Sequence, residues 1–327
     1  MACAKNVAKN MKKILITLSI VFLFVLAFFY QKNQTTKEVK SDEKKLQVST
    51  SFYPLYFFTK EITQDRAEVI NLTKTGAEPH DFEPSPKDIL TIEQSQLLIV
   101  NGNFFESWLD KFDEEISKQG VKIIKVTENL ATIKGLGHHH DEEEHEEEEE
   151  EMFDPHVWLD PVLAQSQVEL INQELQAVDP DNASFYQANT TVLLQQLDDL
   201  HQTFTNQLQN CQNQEIITSH AAFAYMAERY GFEQIAIQGL NPDQDPSPAE
   251  IAAISNLAKS KQINYIFFET LVSPKIAQTI AQEIGAKTLL FNPLEGLTRE
   301  EEALGQNYFT IQKTNLKNLS LALNCQP

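Results

Sequence analysis

The amino-acid sequence predicts an α/β fold made of two lobes, and three observations support this prediction. Short β-rich segments alternate with helical segments before residue 126, and the same alternation returns after residue 215. Such alternation is typical of a parallel sheet covered by helices. Between the two halves, residues 183–208 carry apolar side chains at helical spacing over about 25 residues, or about 40 Å of helix. We therefore expect two Rossmann-like lobes joined by one long helix.

The first half of the chain alternates strand and helix as a parallel sheet requires. We assign strands to residues 47–52, 67–72, 97–101 and 122–126, and helices to residues 54–63 and 86–94. The strand from Leu97 to Asn101 is almost wholly apolar, as in a strand that is buried on both faces. Pro86 fits the first turn of its helix, where the missing N–H has no partner to lose.

The second half repeats the alternation after two helices. We assign these helices to residues 162–177 and 183–208, separated by a break and cap signal at Asp179 to Asn182. Strands follow at residues 215–218, 234–238, 265–269 and 287–291, and helices at 222–230, 248–260 and 274–284. The expected domains are an N-terminal lobe at 47–180, a linking helix at 181–209 and a C-terminal lobe at 210–327.

The charge of the chain excludes one broad class of partner. Its 327 residues hold 47 Asp and Glu against 26 Lys and Arg, a formal net charge of −21. Clustered Lys and Arg bind phosphate backbones, so we expect no nucleic-acid partner. Neither G-x-G-x-x-G nor the P-loop pattern occurs, so no nucleotide-binding loop is predicted. Ten of the acidic residues lie between Asp141 and Glu151.

The N-terminus has the pattern of an export segment. Four lysines between residues 5 and 13 precede an apolar run at residues 14–30. This pattern is typical of a secretion signal, and the run is also close to the minimum length of a membrane anchor. We therefore expect a signal peptide or an uncleaved anchor at residues 1–30, and a polar tether at 31–46. The positive-inside rule then places the rest of the chain outside the cytoplasm.

Export also bears on the cysteines. Cys3 belongs to the targeting segment, which leaves Cys211 and Cys325 in an oxidising compartment. We expect a disulfide bond between them rather than two free thiols. Such a bond would tie the last residues of the chain to the start of the C-terminal lobe.

Three isolated histidines lie in loops next to the predicted elements. His80 lies in a Pro-rich loop, His156 in a loop that enters a helix, and His220 directly after the strand at 215–218. Open α/β sheets bind ligands beyond the carboxyl ends of their strands, and three imidazoles suit a zinc site. Their wide spacing matches no local zinc motif, so the residues alone leave structural and liganding roles open. A fourth histidine, His201, is expected on a solvated face of the long helix.

The loops that carry these histidines resemble the signature loops of one family. The similarity lies in Glu78–Pro86, Asp154–Pro161 and Thr218–Phe223, and further in Val100–Gly102, Trp108 and Asn292–Leu297. The family comprises the metal-binding solute-binding proteins of zinc and manganese ABC importers (cluster A-I), and the resemblance covers about residues 46 to 325. It implies a periplasmic protein that binds its metal in the cleft between two lobes and that works with the membrane subunit of an ABC permease. We also expect a monomer.

The resemblance assigns metal ligands to both lobes. It implies that His80 and His156 are the ligands from the first lobe and that His220 is the ligand from the second. Manganese members of the family carry Glu at the position of His220 and an additional Asp ligand, whose position here reads Asn292. Imidazole ligands favour zinc over manganese. The fourth ligand is left open among water, Glu295, Glu269 and a residue of the acidic segment.

The acidic segment contains further potential ligands. His138, His139, His140 and His145 lie in or beside it, and we interpret residues 138–151 as an auxiliary zinc collector or sensor of low affinity. The resemblance supports this interpretation, since zinc-selective members often carry such an insertion at this point. The alternative is a solvated charge run without function.

These observations predict a function in transport rather than catalysis. We expect an extracytoplasmic solute-binding protein that captures Zn²⁺ and delivers it to an ABC permease for high-affinity uptake. One alternative is the manganese-binding component of an importer. Another is a zinc hydrolase that uses the same three histidines with Glu269 or Glu295 as general base, although no H-E-x-x-H pattern is present. A surface adhesin or metal-storage protein is a third.

Overall fold

The computed structural model describes residues 45–102, 105–128, 130, 153–242 and 246–326. The expected signal or anchor, the tether up to residue 44 and the segment at 138–151 with its four histidines lie outside the described residues. Among the helices that are described, none is both long and apolar enough to span a membrane.

The first lobe is built on a four-stranded parallel sheet with the strand order β2-β1-β3-β4. Its strands are β1 (Leu46–Thr50), β2 (Ala67–Asn71), β3 (Leu97–Val100) and β4 (Lys122–Lys125). The connecting helices are α1 (Tyr53–Thr63), α2 (Pro86–Glu93) and α3 (Leu109–Lys118), of which α3 is an addition to the predicted elements. Thr50 pairs with Asn71 of β2, so these two strands end together at one edge of the sheet. This edge faces the metal centre described below.

The second lobe repeats the same architecture with the strand order β6-β5-β7-β8, again fully parallel. Its strands are β5 (Glu215–Thr218), β6 (Glu233–Ala236), β7 (Tyr265–Phe268) and β8 (Lys287–Leu290). Its helices are α6 (Ala224–Tyr230), α7 (Pro248–Ser260), α8 (Lys275–Ile284), α9 (Arg299–Ala303) and α10 (Tyr308–Ala322), the last two unpredicted. The predicted fold class, two parallel-sheet lobes, is confirmed.

Along the sequence, two antiparallel helices come after the last strand of the first sheet and before the first strand of the second. They are α4 (Pro161–Val178) and α5 (Ala183–Leu208), separated by a short 3₁₀ turn at Pro180–Asn182. Helix α5 spans 26 residues and buries one stripe, Tyr186, Thr190, Leu193, Leu197, Leu200, Phe204 and Leu208. The spacing of three or four residues is that of one helical face, which explains why the sequence pattern identified this helix. The stripe belongs to a core cluster with members from both lobes.

A covalent link closes the second lobe. Cys211 and Cys325 form a disulfide bond in the structure. The backbone reinforces it, since Gln326 N–H donates to the carbonyl of Asn210 at 2.9 Å. The end of α10 is thereby held against the segment that leads into β5.

Candidate metal centre

Three histidines and one glutamate converge from four loops where the two lobes meet. His80 follows β2, His156 precedes α4, His220 follows β5 and Glu295 follows β8. Each of the four residues offers one ligand atom, and these atoms all lie within 4.8 Å of one another. The four side chains are at most 8% exposed. The structure therefore brings together the three histidines named from the sequence and adds Glu295 to them.

Four of the six distances between the donor atoms of this cluster match those between the ligands of a tetrahedral ion, and the other two are within 4.8 Å. The Oε1 atom of Glu295 lies 3.2 Å from His80 Nε2, 3.4 Å from His156 Nε2 and 3.2 Å from His220 Nε2. The Nε2 atoms of His156 and His220 are 3.3 Å apart. Zinc bonds to nitrogen and oxygen of about 2.0–2.1 Å require ligands about 3.3–3.4 Å apart in a tetrahedron. The donor set therefore fits Zn²⁺ in both chemistry and spacing.

Two carboxylates orient two of the imidazoles by contacting the ring nitrogens that face away from the cluster. Asp154 Oδ1 lies 2.7 Å from His156 Nδ1, and the two oxygens of Glu269 lie 2.9 and 2.8 Å from His220 Nδ1. Each carboxylate accepts the Nδ1–H, which leaves the Nε2 lone pair directed at the centre of the cluster. Glu269 was a candidate for the fourth ligand, but it lies on the Nδ1 side of His220. Glu295 occupies the position of that ligand instead.

Hydrogen bonds hold the backbone of His220 as well as its ring. Glu269 Oε1 accepts the backbone N–H of His220 at 3.1 Å. The carbonyl of His220 accepts the Thr218 hydroxyl at 2.8 Å and the Gln234 side-chain amide at 2.8 Å. His220 is therefore fixed before any ion binds.

The electrostatics of the cluster set a competition between protons and metal. Burial lowers the pKa of His220, but Glu269 and Glu295 outweigh burial and hold that pKa well above its ordinary value. Burial likewise lowers the pKa of His156, and Asp154 outweighs it, so the net shift is upward. Burial keeps the pKa of His80 below its ordinary value despite Glu295. Protons and zinc compete for the same Nε2 lone pairs, so metal binding releases protons.

Two nearby acids differ in charge. Burial raises the pKa of Glu295, but the charge of His220 and the hydrogen bonds of the three imidazoles outweigh burial and hold it well below its ordinary value. Burial and the neighbouring Glu295 raise the pKa of Glu78 to about 9, although it accepts the His80 N–H at 3.2 Å. At neutral pH Glu295 is therefore anionic, the form in which a carboxylate can bind a metal ion, while Glu78 is neutral.

The loop that carries His156 is bonded mainly to the second lobe, although the chain places it in the first. Backbone carbonyls of Asp154, Trp158 and Leu159 accept hydrogen bonds from Tyr225 Oη (2.7 Å), Tyr308 Oη (2.6 Å) and Gln312 Nε2 (2.9 Å). The Trp158 indole N–H donates back to the carbonyl of Pro293 at 2.8 Å. Arg229 of α6 also forms an ion pair with Asp160, the N-cap of α4. His156 is thereby positioned by both lobes.

Glu295 is presented by a turn that Asn292 shapes. The Asn292 side chain accepts the N–H of Leu294 at 2.8 Å and donates to Glu301 at 2.9 Å, so it is not part of the metal cluster. Leu294 has a left-handed backbone with φ 59°, an unusual conformation for a leucine. Asn292, at the position that the resemblance links to a fourth ligand, therefore supports the loop, and the acid three residues later faces the centre. An isolated acid in the apolar stretch Pro293–Leu297 is the sequence signal for this role.

His201 lies outside the centre. It is half-buried on α5, and its Nδ1 lies 3.1 Å from the hydroxyl of Tyr230. The predicted solvated position is therefore wrong in part, because the ring is partly covered by the second lobe. Its exclusion from the metal site agrees with the prediction.

Sequence comparisons place this chain in a known family. The family model described as zinc-uptake complex component A, periplasmic (ZnuA), matches residues 48–322. The high-affinity zinc uptake system protein ZnuA of Bacillus subtilis (strain 168) is 40% identical over 311 residues, covering 94% of this chain and 97% of that protein. The zinc-binding protein AdcA of Streptococcus pyogenes serotype M1 is 39% identical over 320 residues, or 95% of this chain. The chain spans only 61% of the length of that AdcA.

Solved structures agree with the sequence comparisons. The Zn(II)-bound ZnuA-like domain of Streptococcus pneumoniae AdcA has a TM-score of 0.74 at 36% identity, covering 86% of this chain and 99% of that domain. The metal-dependent lipoprotein YcdH from Bacillus subtilis has a TM-score of 0.74 at 38% identity, covering 85% of this chain and all of that one. This chain belongs to the ZnuA family, the periplasmic component A of zinc-uptake complexes.

Proposed function

We propose that this protein is the solute-binding component of a zinc importer. It captures Zn²⁺ outside the cytoplasm between its two lobes and delivers the ion to a membrane permease of the ABC type. The observation that carries this proposal is the cluster of four buried donors, His80, His156, His220 and Glu295, drawn from both lobes. Zinc is the cargo of this site and is released unchanged.

The donor set favours zinc over manganese. Three imidazoles and one carboxylate are the ligand types that zinc accepts in a tetrahedral shell, whereas manganese prefers more oxygen donors and a larger coordination number. The amide of Asn292 is engaged by Leu294 and Glu301 and offers no such oxygen to the centre. Both relatives compared above are named for zinc, which also speaks against the manganese alternative.

The same geometry argues against a hydrolase. A catalytic zinc keeps one position open for water or substrate, while four protein donors complete a structural or transport site. The two acids that could act as general base are both committed. Glu295 Oε1 contacts all three imidazoles, and Glu269 accepts the Nδ1–H of His220. We therefore infer that the protein is not an enzyme.

Capture and release follow from the position of the ligands. The anionic Glu295, with Asp154 and Glu269 behind the imidazoles, attracts a dication into a buried polar pocket. Because His80 and His220 lie on different lobes, a permease that separates the lobes would break the ligand shell and release the ion.

We propose that the protein acts as a monomer in the periplasm and that residues 1–30 export it or anchor it to the membrane. Residues 138–151 would collect zinc at lower affinity through their four histidines.

Competitive titration of the purified protein with Zn²⁺ and Mn²⁺ tests this function. We expect one tight site that prefers zinc in the wild type, and loss of that site in the triple variant H80A/H156A/H220A. His201→Ala is the matched control, since it removes an imidazole outside the centre. Tight zinc binding that survives in the triple variant would overturn the assignment.

A further inference from the structure

Glu106 is a buried acid of the first lobe that contacts none of the four donors. Glu106 is 7% exposed, and its carboxylate accepts three hydrogen bonds. Oε1 accepts from the Ser51 hydroxyl at 2.6 Å and from Asn101 N–H at 2.8 Å, and Oε2 accepts from Gly102 N–H at 2.9 Å. Burial of a carboxylate costs free energy unless hydrogen-bond donors compensate for the lost water, and these three donors do so. They also hold the Glu106 side chain in one place.

The three donors to Glu106 lie at the ends of two neighbouring strands. Ser51 directly follows β1, while Asn101 and Gly102 directly follow β3. Gly102 has φ 89°, and a Cβ added there would lie 2.9 Å from the Thr127 hydroxyl, so the turn requires glycine. One carboxylate thus fixes the ends of both strands at the edge of the sheet that faces the metal centre.

An aromatic cluster lies between this edge and the imidazoles. The ring of Phe105 lies 4.7 Å from that of His80, 4.7 Å from that of Phe52 and 5.3 Å from that of Trp158, measured between centroids. The ring of Trp158 lies 5.1 Å from that of His156. The imidazoles of His80 and His156 therefore pack against a surface formed by Phe105 and Trp158, both of which also contact Phe52.

Glu106 is linked to each part of this surface. Phe105 precedes it in the chain, and Phe52 follows its hydrogen-bond donor Ser51. The side chain of Asn101, whose backbone N–H donates to Glu106, donates in turn to the carbonyl of Pro155 at 2.9 Å, directly before His156.

Ring packing matters most for His80. Among the described residues, no carboxylate lies within hydrogen-bond distance of its Nδ1, whereas His156 and His220 each have one. The His80 ring is therefore oriented by its edge-to-face contact with Phe105, together with Glu295, whose Oε1 lies 3.2 Å from His80 Nε2. The position of Phe105 depends in turn on the turn that Glu106 holds.

We propose that Glu106 is a positioning residue of the zinc site, a role that rests on the proposed function. Through Ser51, Asn101 and its neighbour Phe105, it holds the imidazoles of His80 and His156 at the spacing that tetrahedral zinc requires. It binds no metal itself.

Glu106→Gln tests this role, because an amide of nearly equal volume turns one acceptor into a donor that faces existing N–H and O–H donors. The control is Asp179→Asn, since Asp179 likewise accepts a hydroxyl, from Tyr186 at 2.5 Å, and a side-chain amide, from Asn182 at 2.9 Å, but lies between α4 and α5. Three properties are measured in each protein: zinc affinity by chelator competition, the visible absorption of bound Co²⁺, and the melting temperature of the metal-free protein.

We expect about tenfold weaker zinc binding in Glu106→Gln, the lower end of the usual cost of losing an outer-shell partner. The Co²⁺ spectrum should change as well, because it reports ligand geometry. Asp179→Asn should keep both the affinity and the spectrum of the wild type, even where its melting temperature falls. Ser51→Ala removes only one donor and should give a smaller loss of the same sign, which serves as the test if Glu106→Gln does not fold.

Two results would overturn the proposal. One is wild-type affinity and an unchanged Co²⁺ spectrum in Glu106→Gln. The other is a loss of affinity equal to that of Asp179→Asn at equal melting temperature, which would make the role purely structural. If the wild type itself binds neither zinc nor cobalt, the proposed function fails instead. A crystal structure of Glu106→Gln then decides the positioning role, which requires displaced rings of Phe105 and His80.

Discussion

The two lobes share one strand order but hold their candidate metal ligands in different ways. In the second lobe, His220 is fixed by hydrogen bonds to its ring, its backbone N–H and its carbonyl. In the first lobe, the His80 ring packs edge to face against Phe105, and its backbone N–H donates to the Glu78 carboxylate at 3.2 Å. Hydrogen bonds fix direction, whereas packing fixes position only as well as the neighbouring rings are held. The second lobe therefore provides the rigid half of the site.

The loop of His156 extends the rigid half across the lobe boundary. Tyr225, Tyr308 and Gln312 of the second lobe donate to three carbonyls of that loop. The ligands that share the firm support are His156, His220 and Glu295. Loss of a hydrogen bond that supports His156 or His220 should therefore lower zinc affinity more than loss of a contact that supports His80.

Removal of the His220 imidazole should have the largest effect on zinc affinity. His220→Ala deletes a ligand and leaves the buried Glu269 with only the backbone N–H of residue 220 as a donor, so we expect zinc affinity to fall by more than about 100-fold, beyond the range for outer-shell losses. His80→Ala should reduce affinity less, because it leaves no buried carboxylate unpaired. Isothermal titration with Zn²⁺ measures both, and a larger loss in His80→Ala would contradict the comparison.

The ion pair between the lobes should affect stability next. Asp160 is 1% exposed and pairs with Arg229, whose side chain is 30% exposed. Arg229→Ala leaves this carboxylate without its partner, and we expect a loss of about 2–3 kcal/mol, somewhat below the cost for a fully buried pair. Urea unfolding of the metal-free protein gives the value. Lys261→Ala, which breaks the more exposed pair with Glu215, is the control and should cost much less stability than Arg229→Ala, because solvent screens an exposed ion pair.

Loss of an orienting carboxylate should weaken binding without removing a ligand. Glu269→Gln keeps an acceptor for the Nδ1–H of His220 but removes the charge, so we expect zinc affinity to fall about 10- to 100-fold. Asp154→Asn makes the matched change behind His156. Similar losses in both variants would support the common role of the two carboxylates, and wild-type affinity in Glu269→Gln would refute it.

The pH dependence of binding should report the same charges. Since Glu269 and Glu295 raise the pKa of His220 well above its ordinary value, protons still compete with zinc at neutral pH. Affinity should therefore rise steadily with pH from about 5.5 to about 8, the range around the ordinary imidazole pKa. Glu269→Gln lowers that pKa and should shift the rise to lower pH. An affinity that does not change over this range would show that protons do not compete for the site.

The smallest effect is expected at Asn292. In Asn292→Asp the new carboxylate faces Glu301 rather than the metal centre, because the side chain already points there. We expect zinc affinity within about threefold of the wild type and no gain of manganese binding, although repulsion from Glu301 lowers the melting temperature. Titration with Mn²⁺ checks this, and tight manganese binding would mean that the turn can present residue 292 to the metal.

The sequence predicts the fold where its signals are local. The apolar run of β3 and the regular stripe of α5 are periodic, so the sheets and the long helix follow from them. Helix α3 carries many charged residues and few buried ones, which explains why its short apolar signal was missed. The positions of His80, His156 and His220 next to regular elements make them candidates, but their assignment as ligands rests on the resemblance of their loops to the family's signature loops. Their convergence depends on how the lobes pack, which no local pattern encodes.

The roles of the acids depend on this packing most of all. Glu269 and Glu295 each follow a strand of the second lobe, and the sequence offers both as candidates for one position. Only the structure separates them, because Glu269 lies behind His220 and Glu295 in front of it. The same holds for the loop of His156, whose partners Tyr308 and Gln312 are 150 and 153 residues distant from the carbonyls that they contact.

The X-ray absorption spectrum of the zinc-loaded protein at the zinc edge tests the proposed ligand set directly. We expect four-coordinate zinc with three imidazole nitrogens and one carboxylate oxygen at about 2.0–2.1 Å. Glu295→Ala should replace the carboxylate oxygen by water and keep the three imidazoles. Fewer than three imidazoles, or a five- or six-coordinate ion in the wild type, would show that these four residues are not the ligands.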